Sequence, residues 1–214
     1  KEFSFDPNLR KNKADYPIDD SNSPISIANF NGFGGSTILY SAHFPRFHPS
    51  DFSVKTLDNV ADDWPLKYSD LEPYFDVNEK MMGVAGLVGD TAYPEYKALL
   101  PPIPLGDMGQ EMAKAFNKKQ WHWWPSYSAI NTSKRNNRSN CINLGPCNTG
   151  CSQGAKGSVD ITYWPEAKLN GVEVYTESRV YEITLNSKGL ADGVLYLDKN
   201  GIEFKCKAKI IIIA

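Results

Sequence analysis

Residue types able to do chemistry gather in three places. The first is the loop Gly32-Phe33-Gly34-Gly35-Ser36-Thr37. Glycines let a backbone approach a ligand closely and turn its amides toward an anion. Ser36 and Thr37 add hydroxyls where the chain enters Ile38, Leu39 and Tyr40, a candidate helix start. A helix N-terminus is a favourable place for a pyrophosphate. The loop is neither a GxGxxG fingerprint nor a P-loop, since no GK[ST] follows it. An ordinary tight turn is the plain alternative.

The second place holds Cys141, Cys147 and Cys151, spaced x5 and x3. Closely spaced thiolates suit soft metals and iron–sulfur clusters. The paired CxxC of zinc ribbons is missing, and no fourth Cys or His lies nearby. Three ligands would suit a cluster with three cysteine-bound irons; unliganded thiols in a compact turn are the alternative. The remaining cysteine, Cys206, sits on a candidate strand and reads as an inert core thiol. Lys156, just after the third cysteine, reads first as a solvated lysine at a helix start and second as a ligand contact. The third place is Trp121, Trp123 and Trp124 around His122. These rings could line a sugar site, but an alternating aromatic segment more often packs into a core. His43 and His48 have no carboxylate partner in sequence, so surface or structural roles lead.

Elements must position these groups. Residues 1–28 read as coil, and 41–64 as loop, broken by Pro45, Pro49 and Pro65. Residues 69–82 read as a helix, with Ser69 and Glu72 as a capping box. Leu71, Tyr74, Phe75 and Met82 share one face, Pro73 falls in the first turn, and Gly83 is a fitting C-cap. A second helix is expected over 107–119. Asp107 and Gln110 form its box, and Met108, Met112, Ala115 and Phe116 its apolar stripe. Residues 84–106 read as loop, 121–124 as a short strand, 131–140 as a polar basic loop, and 155–169 as a helix that Pro165 ends early. Strands are expected over 172–176, 179–185, 193–197 and 202–206. The turns lie at 186–189 and 199–201, where Asn200-Gly201 is a strong hairpin signal. The last three strands make a β-meander. Ile210 to Ile213 then read as a strand buried on both faces.

The chain has 214 residues, 41% hydrophobic and 22% charged, with net charge −2. That allows one large domain or two small ones with a real core. Scattered lysines and arginines argue against nucleic acid or an anionic membrane as main partner. The longest aliphatic run is far short of a membrane span. The first five residues show no secretion signal, and the compartment stays open between periplasm and cytoplasm. The chain lacks an initiator Met and stops just after the isoleucines, so both ends are expected to be truncations of a longer protein.

In order along the chain, these stretches resemble the glucose–methanol–choline oxidoreductases. Gly32 to Thr37, then Pro45-Arg46 and Asp51-Phe52, resemble that family's flavin-contacting loop. Asp63-Trp64-Pro65-Leu66 with Tyr68, Leu71, Tyr74 and Phe75 resembles the segment that follows. Cys147-x3-Cys151-x2-Gly154-Ala155-Lys156-x-Ser158, with Tyr163, Pro165 and Ala167, is similar to the branch of gluconate, fructose and FAD-dependent glucose dehydrogenase large subunits. Arg179-Val180 and Gly193-Val194 resemble the family's meander, and Ile210 to Ala214 its strand returning to the flavin sheet.

The resemblance implies a mixed α/β (α+β) fold, namely part of an FAD/NAD(P)-binding domain of glutathione-reductase type with its β-meander, plus part of a substrate domain. Residues 1–60 would hold the flavin-contacting loop and 61–140 part of the substrate or cap region. Residues 141–170 would carry the cysteine motif and a helix, and 171–214 the meander and returning strand. Gly34, Gly35, Ser36 and Thr37 would lie near the flavin and pyrophosphate, and the Val180 backbone would meet the adenine. Cys141, Cys147 and Cys151 resemble the ligands of a 3Fe-4S cluster, although Leu144 stands where some relatives carry an extra cysteine. The implied activity is oxidation of a CH–OH group of an alcohol or sugar. A base would take the hydroxyl proton, hydride would pass to flavin N5, and electrons would go on to a haem protein rather than oxygen. The family's N-terminal GxGxxG has no counterpart here, and its catalytic histidine is expected beyond Ala214. No residue of this chain is therefore expected to be the base, and the chain alone is expected to be inactive. An iron–sulfur electron-transfer module and a carbohydrate-binding module are the alternatives from other classes.

Overall fold

The computed structural model describes residues 21–25, 30, 32–96, 99–135 and 137–213. It divides into two units, Lys1–Asn170 and Gly171–Ala214. Of the segment expected to be coil over 1–28, only 21–25 lie within the described residues.

Among the described residues the first unit carries four helices: α1 (Val54–Asp58), α2 (Tyr68–Met82), α3 (Asp107–Lys118) and α4 (Tyr163–Leu169). Short 3₁₀ turns cover Gly35–Ile38 and Pro49–Phe52. Its core is Ala42, Met82, Val84, Tyr96, Tyr127, Ala129 and Ile130. Most of these residues lie on extended pieces rather than helices. The pieces touch through single bridges, His43 with Ser128, Ala85 with both Ser128 and Leu100, and Ile130 with Lys156. A core built this way strands many backbone carbonyls, and each needs a donor.

α2 forms where the sequence places it, but its caps and buried face differ. The Asp70 carboxylate, rather than Glu72, accepts from the chain entering the helix, at the Lys67 N–H, 2.8 Å. Gly83 closes the other end in the left-handed region, at φ 76°. Tyr68, Glu79 and Met82 are the buried residues, and Tyr74 is 70% exposed. A buried Glu breaks the apolar pattern because Arg46 meets it. Arg46 Nε and Nη2 donate to the two Glu79 oxygens at 2.6 and 2.5 Å. Nη2 also reaches Asp76 at 2.7 Å, and Nη1 reaches the Tyr68 hydroxyl at 3.1 Å. The guanidinium lies 4.4 Å from the Tyr96 ring centroid. Burial opposes its charge, but Glu79, Tyr68 and Asp76 outweigh it, so the group stays cationic. Burial pushes the Glu79 carboxyl upward, and Arg46 pulls it back.

α3 also forms, with Gly106 at its N-cap and no Asp107–Gln110 box; the Gln110 side chain donates instead to the Leu105 carbonyl at 3.2 Å. The expected stripe is rotated, since Ala113 is buried while Met108 and Met112 are 79% and 51% exposed. The helix expected over 155–169 shrinks to α4. Pro165 falls in the first turn of α4, where its missing N–H costs no helical bond. Residues 121–124 form no strand.

In the second unit β1 (Arg179–Leu185), β2 (Ala191–Leu197) and β3 (Glu203–Lys207) make an antiparallel meander in the order β1-β2-β3. The register runs Arg179–Leu197 to Leu185–Ala191 and Gly193–Lys207 to Leu197–Glu203. Carboxamide and carboxylate side chains shape both turns. Asn186 Oδ1 accepts from Lys188 and Leu190, and Asp198 Oδ1 from Asn200 and Ile202. Gly189 and Gly201 supply the positive φ, 75° and 77°. A Cβ on Gly193 would come within 2.5 Å of the Cys206 carbonyl oxygen, so the strand centre requires glycine.

Three expectations fail here. Residues 172–176 form no strand. Cys206 is exposed on β3, not a core thiol. Ile210, Ile212 and Ile213 are 80%, 83% and 82% exposed and outside any strand. A buried strand takes its ladder bonds from neighbours and its burial from layers on both faces. The described residues of this unit supply neither.

The Arg46 cluster yields a direct test. Arg46→Met leaves the Glu79 carboxylate buried without its cation, at a cost of roughly 3–5 kcal/mol. The double change Arg46→Met, Glu79→Met should recover most of that in urea unfolding. A double variant as unstable as the single one would show that packing, not the pair, holds the site.

Candidate functional site

The Gly-rich loop is held from outside itself. Gly34 and Gly35 take left-handed φ values of 97° and 56°, and the Gly35 N–H donates to the Gly32 carbonyl at 2.8 Å. The following 3₁₀ turn spends its Ser36 carbonyl on the Leu39 N–H at 3.1 Å, while a side chain meets the carbonyls of Ile38 and Tyr40. That side chain is Lys156. Only 1% exposed, it sends Nζ to the carbonyls of Ile38 at 2.6 Å, Tyr40 at 2.9 Å and Cys147 at 2.8 Å. The ammonium also lies 5.0 Å from the Tyr40 ring centroid. The expectation of a solvated lysine is therefore overturned. All three ammonium protons are used, and they tie the Gly-rich loop to the cysteine segment. Burial lowers the Lys156 pKa, and the Cys147, Cys151 and Asp160 side chains oppose that fall.

Further bonds run between the same two segments. The Tyr40 hydroxyl donates to the Gly157 carbonyl at 2.6 Å, and burial pushes that phenol up to about 12. Thr37 Oγ1 donates to the Gly34 carbonyl at 2.5 Å and accepts the Val159 N–H at 3.0 Å. Ser36 Oγ accepts the Phe30 N–H at 3.1 Å. Both loop hydroxyls thus shape the loop. Phe33 stacks on Trp164 of α4, with centroids 5.3 Å apart. Arg138, in the segment expected to be a polar basic loop, is buried. It donates to the carbonyls of Gly154, Met82 and Ala155 at 2.9, 2.9 and 2.8 Å. Gly157 fits here because a Cβ would lie 2.3 Å from the Met82 carbonyl oxygen.

The cysteines do not come together as ligands. Among the described residues no three His, Cys, Asp or Glu side chains converge where a metal ion could sit. Each half-buried thiol has local contacts instead. Cys141 Sγ accepts the Asn143 N–H at 3.3 Å, and the Cys147 carbonyl serves Lys156. Cys151 Sγ accepts the Lys156 N–H at 3.5 Å. For Cys151, burial raises the pKa, but amides of Lys156, Gln153, Ala155 and Gly154 outweigh it and hold the thiol below its ordinary value. The donor set therefore does not fit a 3Fe-4S cluster in this geometry.

The aromatic segment also divides. Trp124 donates to the Leu87 carbonyl at 2.7 Å and packs against the core, whereas Trp121 is 58% exposed. His122 pairs with Asp90 at 2.9 Å. His48 bonds the Ala92 carbonyl at 2.8 Å and stacks on Tyr93, the structural role expected of it. His43 meets the Ser126 hydroxyl at 2.8 Å. A cavity of about 290 Å³ opens beside His43, Phe47, Phe75 and Asn78. Its charged wall, Arg46 with Glu79, is mutually satisfied, which fits a structural void better than a reaction site. Val180 lies on β1 in the second unit, paired with Tyr196 and 54% exposed.

Two observations fit a flavin nucleotide at the loop. Gly34 itself is closed to a ligand, since a Cβ there would meet Asp160 Cβ at 2.9 Å and Ile38 Cδ1 at 3.0 Å, so its glycine serves internal packing. At Gly35 a Cβ would meet open space, so its backbone is approachable. The Asp160 carboxylate also carries a buried oxygen without a partner. Sequence reasoning missed Asp160, Arg138 and the burial of Arg46 against Glu79. The one available signal was the run of small residues around Lys156, which marks close backbone packing.

A family model described as GMC oxidoreductase matches residues 127–214. The chain is 35% identical, over 99% of its length, to 2-methyl-1,2-propanediol dehydrogenase of Mycolicibacterium austroafricanum, and covers 39% of that protein. It is 25% identical over 86% of its length to the fructose dehydrogenase large subunit of Gluconobacter japonicus, covering 34% of it. It is 27% identical over 85% of its length to paromamine 6'-oxidase of Streptomyces fradiae, again covering 34%. The chain thus spans between a third and two fifths of these relatives.

Two outcomes follow. Lys156→Met leaves three buried carbonyls without their donor, at about 1–3 kcal/mol each, and should abolish folding of the first unit. A stable variant with a native circular dichroism spectrum would contradict that. Cys151 should ionise below the ordinary thiol value, so between those two pH values the unfolded chain binds more protons than the folded one. Its stabilising share is complete above the ordinary thiol value and lost as pH falls through the folded one. In a 240 nm thiolate titration, Cys151→Ser should remove the earliest step. An unchanged curve would refute the amide nest.

Proposed function

The chain belongs to the GMC oxidoreductase family, and on that premise we propose that the protein oxidises a CH–OH group of an alcohol or sugar with FAD. FAD is the cofactor of this family. When bound, it supplies the hydride acceptor, and the protein positions it. The observation that carries the reading is the Gly34–Gly35 turn, held open to a ligand at Gly35 by Lys156, Thr37 and Tyr40 rather than by regular structure.

Each residue then has a task. The backbone at Gly35 faces the cofactor. Ser36 and Thr37 fix that backbone through Phe30, Gly34 and Val159, so their contribution is shape. Lys156 keeps the loop attached to the cysteine segment. The Val180 backbone, on the second unit's β1, would meet the adenine. The group taking the hydroxyl proton is not assigned to a residue of this chain. Reduction of an acceptor other than oxygen, a haem protein by family resemblance, is supported by the dehydrogenase names of two relatives. Among the described residues no helix is long and apolar enough to cross a membrane.

The test uses the full-length protein. After purification it should show flavin absorbance bands, or gain them on adding FAD. It should reduce an artificial dye with some member of a panel of alcohols, diols, aldoses and ketoses, faster than it consumes oxygen. Absence of flavin binding after added FAD would end the proposal. Faster oxygen consumption would reassign the acceptor.

A further inference from the structure

The unpartnered carboxylate of Asp160 asks for an explanation. Its Oδ1 is buried, and among the described residues nothing donates to it. Such an acceptor costs stability, and native proteins rarely keep one without use. Lys156 is close enough to feel its charge but donates no proton to it, because all three protons of Nζ already go to the carbonyls of Ile38, Tyr40 and Cys147. The position is well defined. The adjacent Val159 N–H is tied to Thr37 Oγ1, and a Cβ on Gly34 would lie 2.9 Å from Asp160 Cβ. The carboxylate therefore stands against the left-handed turn of the flavin-type loop.

Building on the FAD reading above, we propose that Asp160, half-buried as a whole, is an FAD-contacting residue whose carboxylate turns on binding to accept a hydrogen bond from the uncharged flavin half of the cofactor. A carboxylate repels a diphosphate, so this end of the loop faces donors rather than phosphates. FAD offers two such donors, the ribityl hydroxyls and the imide N–H of the ring. The buried acceptor is a cost carried by the apoprotein and relieved on binding, a common trade at ligand sites. This sharpens the assignment of the Gly-rich loop, whose backbone alone would suit the pyrophosphate equally well.

The experiment compares wild type, Asp160→Asn and Asp160→Ala of the full-length protein, each stripped of flavin and titrated with FAD. Wild-type failure to bind FAD would overturn the functional reading itself; the proposal about Asp160 is judged by the variants once wild type binds. Asp160→Ala should weaken FAD about tenfold, the usual effect of losing one hydrogen bond to a charged group. Asp160→Asn keeps an acceptor oxygen and should lose less. Both apoproteins should keep the wild-type far-ultraviolet circular dichroism spectrum, which shows that the loop's unit still folds. A dissociation constant unchanged within twofold in Asp160→Ala overturns the proposal. Titration of wild type with 3-methyl-FAD separates the donors. Weakened binding assigns the imide, and undiminished binding assigns a ribityl hydroxyl.

Discussion

Buried cations hold the first unit together. Arg46, Arg138 and Lys156 are 5%, 7% and 1% exposed, and each spends its protons inside the protein. For Lys156 and Arg138, which bond backbone carbonyls, the cause is architectural. The core is assembled from extended pieces joined by single bridges, so carbonyls that a sheet would pair are left over. Leaving them unpaired in a dry interior costs more than burying a cation with several ready acceptors. Lysine and arginine suit the task differently. The ammonium of Lys156 gathers carbonyls converging on a point, while the forks of Arg46 and Arg138 span acceptors spread in a plane.

This arrangement couples distant stretches of chain. Ile38 and Tyr40 are joined to Lys156 across 118 and 116 residues of sequence. Thr37 and Val159 are joined across 122. The Gly-rich loop therefore has little shape of its own and takes its geometry from the segment after the cysteines. A loop of that kind can present bare backbone to a ligand, because its positioning groups approach from the other side. The cysteine segment, expected to work through its sulfurs, acts here through its backbone. It supplies a carbonyl to Lys156, amides to Cys151, and the chain that carries Asp160.

The second unit is organised on different physics. Its three strands satisfy their own backbone groups, and its turns are set by local side-chain acceptors, Asn186 and Asp198. Aromatic contacts between Tyr175, Tyr196 and Phe204 line one face. Family membership rests on chain-wide similarity, and its matched model covers all of this unit together with residues 127–170. Regular, locally encoded structure and long-range clamped loops thus sit side by side in one chain.

Local rules therefore made parts of this protein legible in advance. α2 and α3 follow from periodicity and breakers, and the meander from Asn200-Gly201, Gly189 and alternating strands, because their bonds lie within a few residues. The Gly32 to Thr37 loop was legible as a tight glycine turn, and its ordered neighbours carried the resemblance to the family. Which hydroxyls would be spent inside it was not, since Thr37 answers to Val159. Lys156 looked solvated because no property of a lone lysine reports carbonyls more than a hundred residues away. Glu79 was missed for the same reason, as its burial makes sense only beside Arg46. The isoleucines at 210–213 carry a strand's composition, but strands need partners, and composition does not name them. Sequence alone determined which segments become helix, hairpin and glycine turn. Only the tertiary structure decided which charged groups would be buried and against what, because burial of a charge is settled by where its partners come to rest in space.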